Sequence, residues 1–306
     1  MSLLSGPFDG PARLRELLGG DDLIVAPGCV DPFSARVAES VGFSAVYMTG
    51  NGASAVRLGR PDVGLMTMTE MVDQAGRIVD AVDVPVIADA DTGYGNPLNV
   101  IRTVGAYERA GVAALHLEDQ VTPKRCGQLD GTQLVPLDEH VTKIRAAVSA
   151  RNNPDTVIIG RTDAVRAEGL QPALDRARAY RAAGADALFI EGLSTIAEVE
   201  EAVDICDGTP LVYPWVEGRS DSLGLDILEG LGVRVVIFPI TAILATLRTL
   251  ESVYSRLKEN GTSVTFLDEL ATFEEYSSFV GAGEAFELEA RFAAPVTPSG
   301  PTDPPS

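Results

Sequence analysis

Two carboxylates two residues apart, Asp89 and Asp91, leave an extended strand on the same side. With Glu118 nearby they form a set of hard oxygen donors suited to Mg²⁺, which keeps several waters and borrows ligands from its substrate; Mn²⁺ can take its place. A second cluster sits in the stretch Ala114–Gln128, which starts as an apolar run and ends in Glu118 and Asp119. A loop follows with Pro123, Lys124, Arg125, Cys126 and Gly127. A thiol beside two cations is a candidate low-pKa cysteine, and the bland alternative is a cysteine that happens to lie in a surface loop. A metal-held anion beside Arg161 points to stabilisation of a developing enolate. Cys126 is then the proton donor or acceptor at carbon, on a loop bounded by Gly and Pro that can close and exclude water. The two histidines, His116 and His140, have no zinc-site spacing, and His116 reads as a packed strand residue. No Gly-x-Ser-x-Gly elbow or Ser-His-Asp order appears.

Such residues need a scaffold that brings them together. Eight short apolar runs follow an amphipathic helix at 8–19: 23–26, 45–48, 84–88, 114–117, 156–159, 187–190, 210–213 and 233–238. Helical patterns such as 138–150, 170–183 and 195–203 lie between most of them. Apolar strands alternating with helices mean βα units and a parallel sheet, and eight of them predict a (β/α)₈ TIM barrel. A doubly wound sheet is the rival. It lacks support, because no Gly-x-Gly-x-x-Gly follows the first strand. Barrel chemistry gathers at the C-terminal strand ends, which here carry Thr49-Gly50-Asn51-Gly52, Asp89, Asp91, Glu118, Asp119, Arg161, Asp163, Glu191 and Glu217. Charges of this kind are costly to bury unless paired or metal-bound, so their convergence predicts an active site.

The predicted organisation is a barrel over residues 1–260, a helical segment at 261–293 and a disordered proline-rich tail at 294–306. A net charge of −20, from 24 basic and 44 acidic residues, argues against nucleic acid or an anionic membrane as partner. Three cysteines, no apolar run near 18 residues and no signal-peptide pattern lead to the expectation of a soluble cytoplasmic protein.

Six motifs, in order, are Tyr47-Met-Thr-Gly-Asn-Gly, Gly59-Arg-Pro-Asp62-Val-Gly, Asp89-Ala-Asp-Thr-Gly-Tyr-Gly95, Leu117-Glu-Asp-Gln-Val, Pro123-Lys-Arg-Cys-Gly and Gly160-Arg-Thr-Asp-Ala. Together they resemble the isocitrate lyase/phosphoenolpyruvate mutase superfamily, over residues 22–293. The resemblance implies a barrel whose C-terminal helix is exchanged with a neighbour in a dimer or tetramer. It implies Mg²⁺ at Asp89 and Asp91, supported through water by Glu118 and Asp62. Thr49, Gly50 and Asn51 would hold an α-keto acid portion, with Arg161 and Glu191 completing the pocket; Tyr47, Lys124, Gly127, Trp215 and Pro239 are further expected substrate contacts. Cys126 would be the acid/base of the carbon–carbon lyase branch. A small carboxylic acid is the implied substrate, cleaved by a retro-aldol or Claisen-type step.

There are departures from the family pattern. Gln128 stands where the lyase loop has histidine, and Pro214-Trp215-Val216 where methylisocitrate lyases have Asn-x-Thr. Leu244 and Thr272 align with late arginines that serve an extra carboxylate. Lost cations disfavour a tricarboxylate and favour a substituted malate such as 2,3-dimethylmalate. Pro239 matches the lyases, whereas oxaloacetate hydrolases of the family carry serine. A phosphonomutase of the carboxyphosphonoenolpyruvate type also keeps Lys-Arg-Cys-Gly and is the second reading. A third is a non-catalytic barrel.

Overall fold

A computed structural model describes residue 4, residue 6 and residues 8–220 and 223–293. The expected tail at 294–306 lies outside the described residues. The chain divides into two compact units, Phe8–Arg248 and Thr249 onward together with Met1–Pro7.

The first unit is a closed barrel of eight parallel strands in sequence order. They are β1 (Ile24–Cys29), β2 (Val46–Met48), β3 (Val86–Asp89), β4 (Ala114–Glu118), β5 (Val157–Thr162), β6 (Ala187–Ile190), β7 (Leu211–Pro214) and β8 (Val235–Phe238). β1 closes on β8 through Ile24↔Val235 to Pro27↔Phe238. The apolar runs marked the strands but misjudged their ends. β4 and β5 continue through charged residues, pairing Glu118 with Arg161, because the backbone ladder does not stop where side chains become polar. Several helices start where the sequence supplies caps. Thr67 and Glu70 form a reciprocal capping box before Met68–Val79, and Asn96 caps Pro97–Arg109 with proline in the first turn.

Alternation sorts each strand between two cores. Ile24, Ala26, Ile87, Ala114, Ile159, Ala187, Val212, Val235 and Ile237 fill the barrel, with Leu14 of the helix Gly10–Gly19 in the same cluster. Leu115, Leu117, Ile158, Leu188, Ile190 and Val236 face the helical layer.

In the second unit the expected helical segment is three pieces: a 3₁₀ turn at Val264–Glu269 and helices Phe273–Phe279 and Ala282–Phe292. Gly281, at φ +85°, breaks the last two apart. Thr272 caps Phe273–Phe279 by accepting from the Glu275 N–H. No residue of the helix Thr241–Asn260 is buried, and none in the last two helices. No helix among the described residues is long and apolar enough to cross a membrane.

Candidate active site

The inward positions of the strands step by twos from the apolar interior to charged residues at the barrel's C-terminal end. Ile87 leads to Asp89, Ala114 to His116 and Glu118, Ile159 to Arg161, and Phe189 to Glu191. Cross-strand register aligns Asp89 with His116, Glu118 with Arg161 and Arg161 with Phe189. Below them the Tyr47 hydroxyl lies 2.8 Å from His116 Nε2. Burial holds His116 down at about 4, so at neutral pH it is uncharged.

On one wall, Asp89 and Asp91 are both buried. Burial alone would lift Asp89, but His116, Lys124, Arg161 and the Asp91 N–H draw it down to about 2. Asp91 is pushed up to about 6 by burial, with Asp89 and Asp62 adding and Lys124 opposing. Gly50 must be glycine here: its N–H donates to Asp89 at 3.2 Å, and a Cβ would collide with that carboxylate. Lys124 reaches into the group, 2.8 Å from Asp91 Oδ1 and 2.7 Å from Asp62 Oδ2. Glu118 is fully buried, neither of its oxygens has a hydrogen-bond partner, and its carboxyl is raised well above the ordinary value by burial. Among the described residues no three His, Cys, Asp or Glu side chains could cage an ion unaided. Two buried hard-oxygen ligands and an orphaned carboxylate able to receive bound water fit Mg²⁺, which retains much of its hydration.

Two strands further round, the Arg161 guanidinium forks onto Asp163 at 3.0 and 2.9 Å and lies 3.3 Å from Glu118 and 3.6 Å from Glu191. It also stacks over the Phe189 ring at 4.7 Å. The Cys126 loop seats here. Its N–H donates to the Asp62 carbonyl at 2.9 Å, and Gln128 Nε2 donates to Glu191 at 2.7 Å. Gly127 approaches so closely that a Cβ would lie 2.8 Å from Asp163 and Glu191 atoms. The low pKa expected for Cys126 is not found. Burial raises it, Asp62 and Glu191 add to the rise, and the Gln128 N–H and Lys124 oppose. Lys124 is engaged by Asp62 and Asp91, and Arg125 turns away to the Asp130 carbonyl.

The cavity is lined by Tyr47, Thr49, Asn51, Asp62, Asp89, Lys124, Cys126, Gly127, Arg161, Glu191 and Pro239 of the expected set. Gln128, Phe189, Pro214, Val216, Ile237 and Ile240 complete it. Trp215 does not line it. The inward parity of β7 runs Val212, Pro214, Val216, so Trp215 points outward, donates to the Leu223 carbonyl at 2.9 Å and packs on Phe238. Glu217 is spent on a hydrogen bond from Thr241. Phe189 went unnoticed in the sequence, and Val216 was marked only as part of a departure from the family pattern, although the same parity rule brings both into the cavity.

The chain that folds into this barrel matches a known family. A model described as phosphoenolpyruvate phosphomutase matches residues 14–258, and the chain belongs to that family. A 2,3-dimethylmalate lyase from Eubacterium barkeri is 45% identical, covering 92% of this chain and 98% of its own. Among solved structures, an oxaloacetate acetylhydrolase bound to 3,3-difluorooxalacetate superposes with TM-score 0.89 at 37% identity, covering 96% of this chain and all of the other. A phosphonopyruvate hydrolase in complex with oxalate and Mg²⁺ gives TM-score 0.84 at 30% identity, covering 94% and 100%.

Proposed function

We propose that this chain is a Mg²⁺-dependent carbon–carbon lyase that cleaves a substituted 2-hydroxy dicarboxylate, of the dimethylmalate or methylisocitrate type, to an α-keto acid and a second carboxylic acid. The observation that carries the reading is one cavity lined by Cys126, Arg161 and Asp89 together, with burial favouring the protonated form of the Cys126 thiol. The 45% identity to a dimethylmalate lyase over nearly the whole chain supports it.

Asp89 and Asp91 would hold the ion, with Glu118 and Asp62 receiving its waters. The bound ion supplies positive charge against the oxygens that become negative during cleavage. Thr49, Gly50 and Asn51 flank the keto-acid half. Arg161, fixed by Asp163, presents its guanidinium to developing negative charge in a site closed by the loop. As the 2-hydroxyl gives its proton to one of the cavity carboxylates, the C2–C3 bond breaks, its electrons pass to C3, and C2 becomes the carbonyl of the keto acid. Cys126 then gives its proton to C3. Phe189, Pro214 and Val216 form the apolar part of the wall and suit alkyl substituents.

The active form in this reading is a homo-oligomer that exchanges the helices after residue 260, in a cytoplasmic setting. The outward apolar side chains Leu247, Tyr254, Phe273 and Phe286 and the free thiols Cys29, Cys126 and Cys206 support it.

The test is keto-acid release with Mg²⁺ from 2,3-dimethylmalate, 2-methylisocitrate, isocitrate and oxaloacetate. Pyruvate or glyoxylate from a hydroxy acid, stopped reversibly by chelation, supports the lyase. Silence on all hydroxy acids with hydrolysis of oxaloacetate overturns it.

A further inference from the structure

Behind the cavity, out of reach of any substrate, lies a fully buried carboxylate with an unusual number of donors. Asp119 accepts from the Thr162 hydroxyl at 2.7 Å, the Asp163 N–H at 3.0 Å, the Tyr180 hydroxyl at 2.6 Å and Arg176 Nη1 at 3.3 Å. Three of these donors converge on Oδ2 and the Asp163 N–H alone takes Oδ1, so both oxygens are engaged. Arg176 is fixed in turn by the Val135 carbonyl at 3.1 Å, and the His140 ring packs edge-on against Tyr180.

A buried charge is an expensive way to fasten a fold, and the strand register here does not depend on it. Five consecutive residue pairs already set the register of β4 against β5, from Ala114↔Val157 to Glu118↔Arg161. That register leaves open where the chain turns as it leaves β5, and therefore where the Asp163 carboxylate points. Asp119 holds both residues at this turn, Thr162 by its hydroxyl and Asp163 by its N–H. Asp163 then grips Nε and Nη2 of Arg161, which makes the guanidinium's plane depend on Asp119 two links away.

We propose that Asp119, anchored by Tyr180 and Arg176, is a positioning residue that aims Arg161 into the cavity through Thr162 and Asp163. The inference rests on the lyase reading for Arg161's role, while the network itself is independent of it. A misaimed guanidinium costs most where charge develops, so kcat should fall further than KM rises.

The experiment places Asp119→Asn and Tyr180→Phe each in the wild-type chain and in an Asp163→Asn chain. Kinetics on the substrate found by keto-acid release are followed together with calorimetric binding of oxalate in the presence of Mg²⁺. Asp119→Asn should lower kcat by about 10- to 100-fold with KM changed less than about threefold, and Tyr180→Phe should lower it by about three- to tenfold. Both losses should shrink to about twofold or less in the Asp163→Asn chain, because the connection to Arg161 is already cut. Losses that multiply undiminished in that background, or unchanged kcat in Tyr180→Phe, overturn the proposal. Should Asp119→Asn not fold, Tyr180→Phe decides alone. If the wild-type chain cleaves none of the hydroxy acids, the lyase reading fails by itself. The positioning role is then decided by oxalate affinity, which must fall in Asp119→Asn and Tyr180→Phe and fall less when the same changes are made in the Asp163→Asn chain.

Discussion

In the proposed lyase Cys126 hands a proton to carbon, for which a thiolate is of no use, and burial favours the protonated form. The local sequence suggested the opposite, because two cations stand next to it. Their charge is committed elsewhere, to partners that lie up to 62 positions away in the chain, and no spacing rule discloses that. Cys126→Ser should lower turnover by at least about 100-fold, the usual scale for a lost general acid, with Mg²⁺ affinity by calorimetry unchanged; near-normal turnover removes the thiol from the reaction. Glu191 offers a second check. Burial lifts its carboxyl to about 7, against the pull of Arg161. A carboxyl raised in the folded state adds stability that is fully present below its unfolded value of about 4.3 and is lost as pH rises through about 7. The melting temperature should therefore drop more between pH 5 and pH 8 in the wild type than in Glu191→Gln. Parallel curves in a thermal shift series would contradict the assignment.

Strand count, strand order and the identity of most cavity residues were legible because a buried parallel strand writes itself as a short apolar run, with chemistry just past its end. Parity was equally available and would have turned Trp215 outward and brought Phe189 and Val216 in. The connections between elements were not legible. Lys124, on the loop after β4, crosses to Asp62, on the segment after the helix Gly50–Leu58, and to Asp91 just beyond β3. Removing a buried cation leaves two buried carboxylates uncompensated, which typically costs about 3–5 kcal/mol. Lys124→Met should thus unfold at lower temperature in chelator, and adding Mg²⁺ should raise its melting point by more than it raises that of the wild type. Equal gains in the two proteins would show that the ion does not bind among these carboxylates.

The division at Arg248/Thr249 runs through one continuous helix, and the unit that follows turns an apolar surface outward, with Phe273 83% exposed. Monomeric proteins rarely leave so much of this kind uncovered. Phe273→Glu should shift the chain to a smaller species by sedimentation velocity, with the barrel's circular dichroism retained; an unchanged assembly would place the subunit contact elsewhere. The period-two alternation inside the barrel has an evolutionary corollary. The charged residues that the strands carry into the cavity all share one parity, so losing a single residue within β4, β5 or β6 would carry Glu118, Arg161 or Glu191 to the apolar layer under the helices. Substitutions at Pro214, Val216 and Pro239 disturb no such count. Lineages built on this barrel are free to explore new substrates by point replacement, and nearly barred from doing so by deletion within a strand.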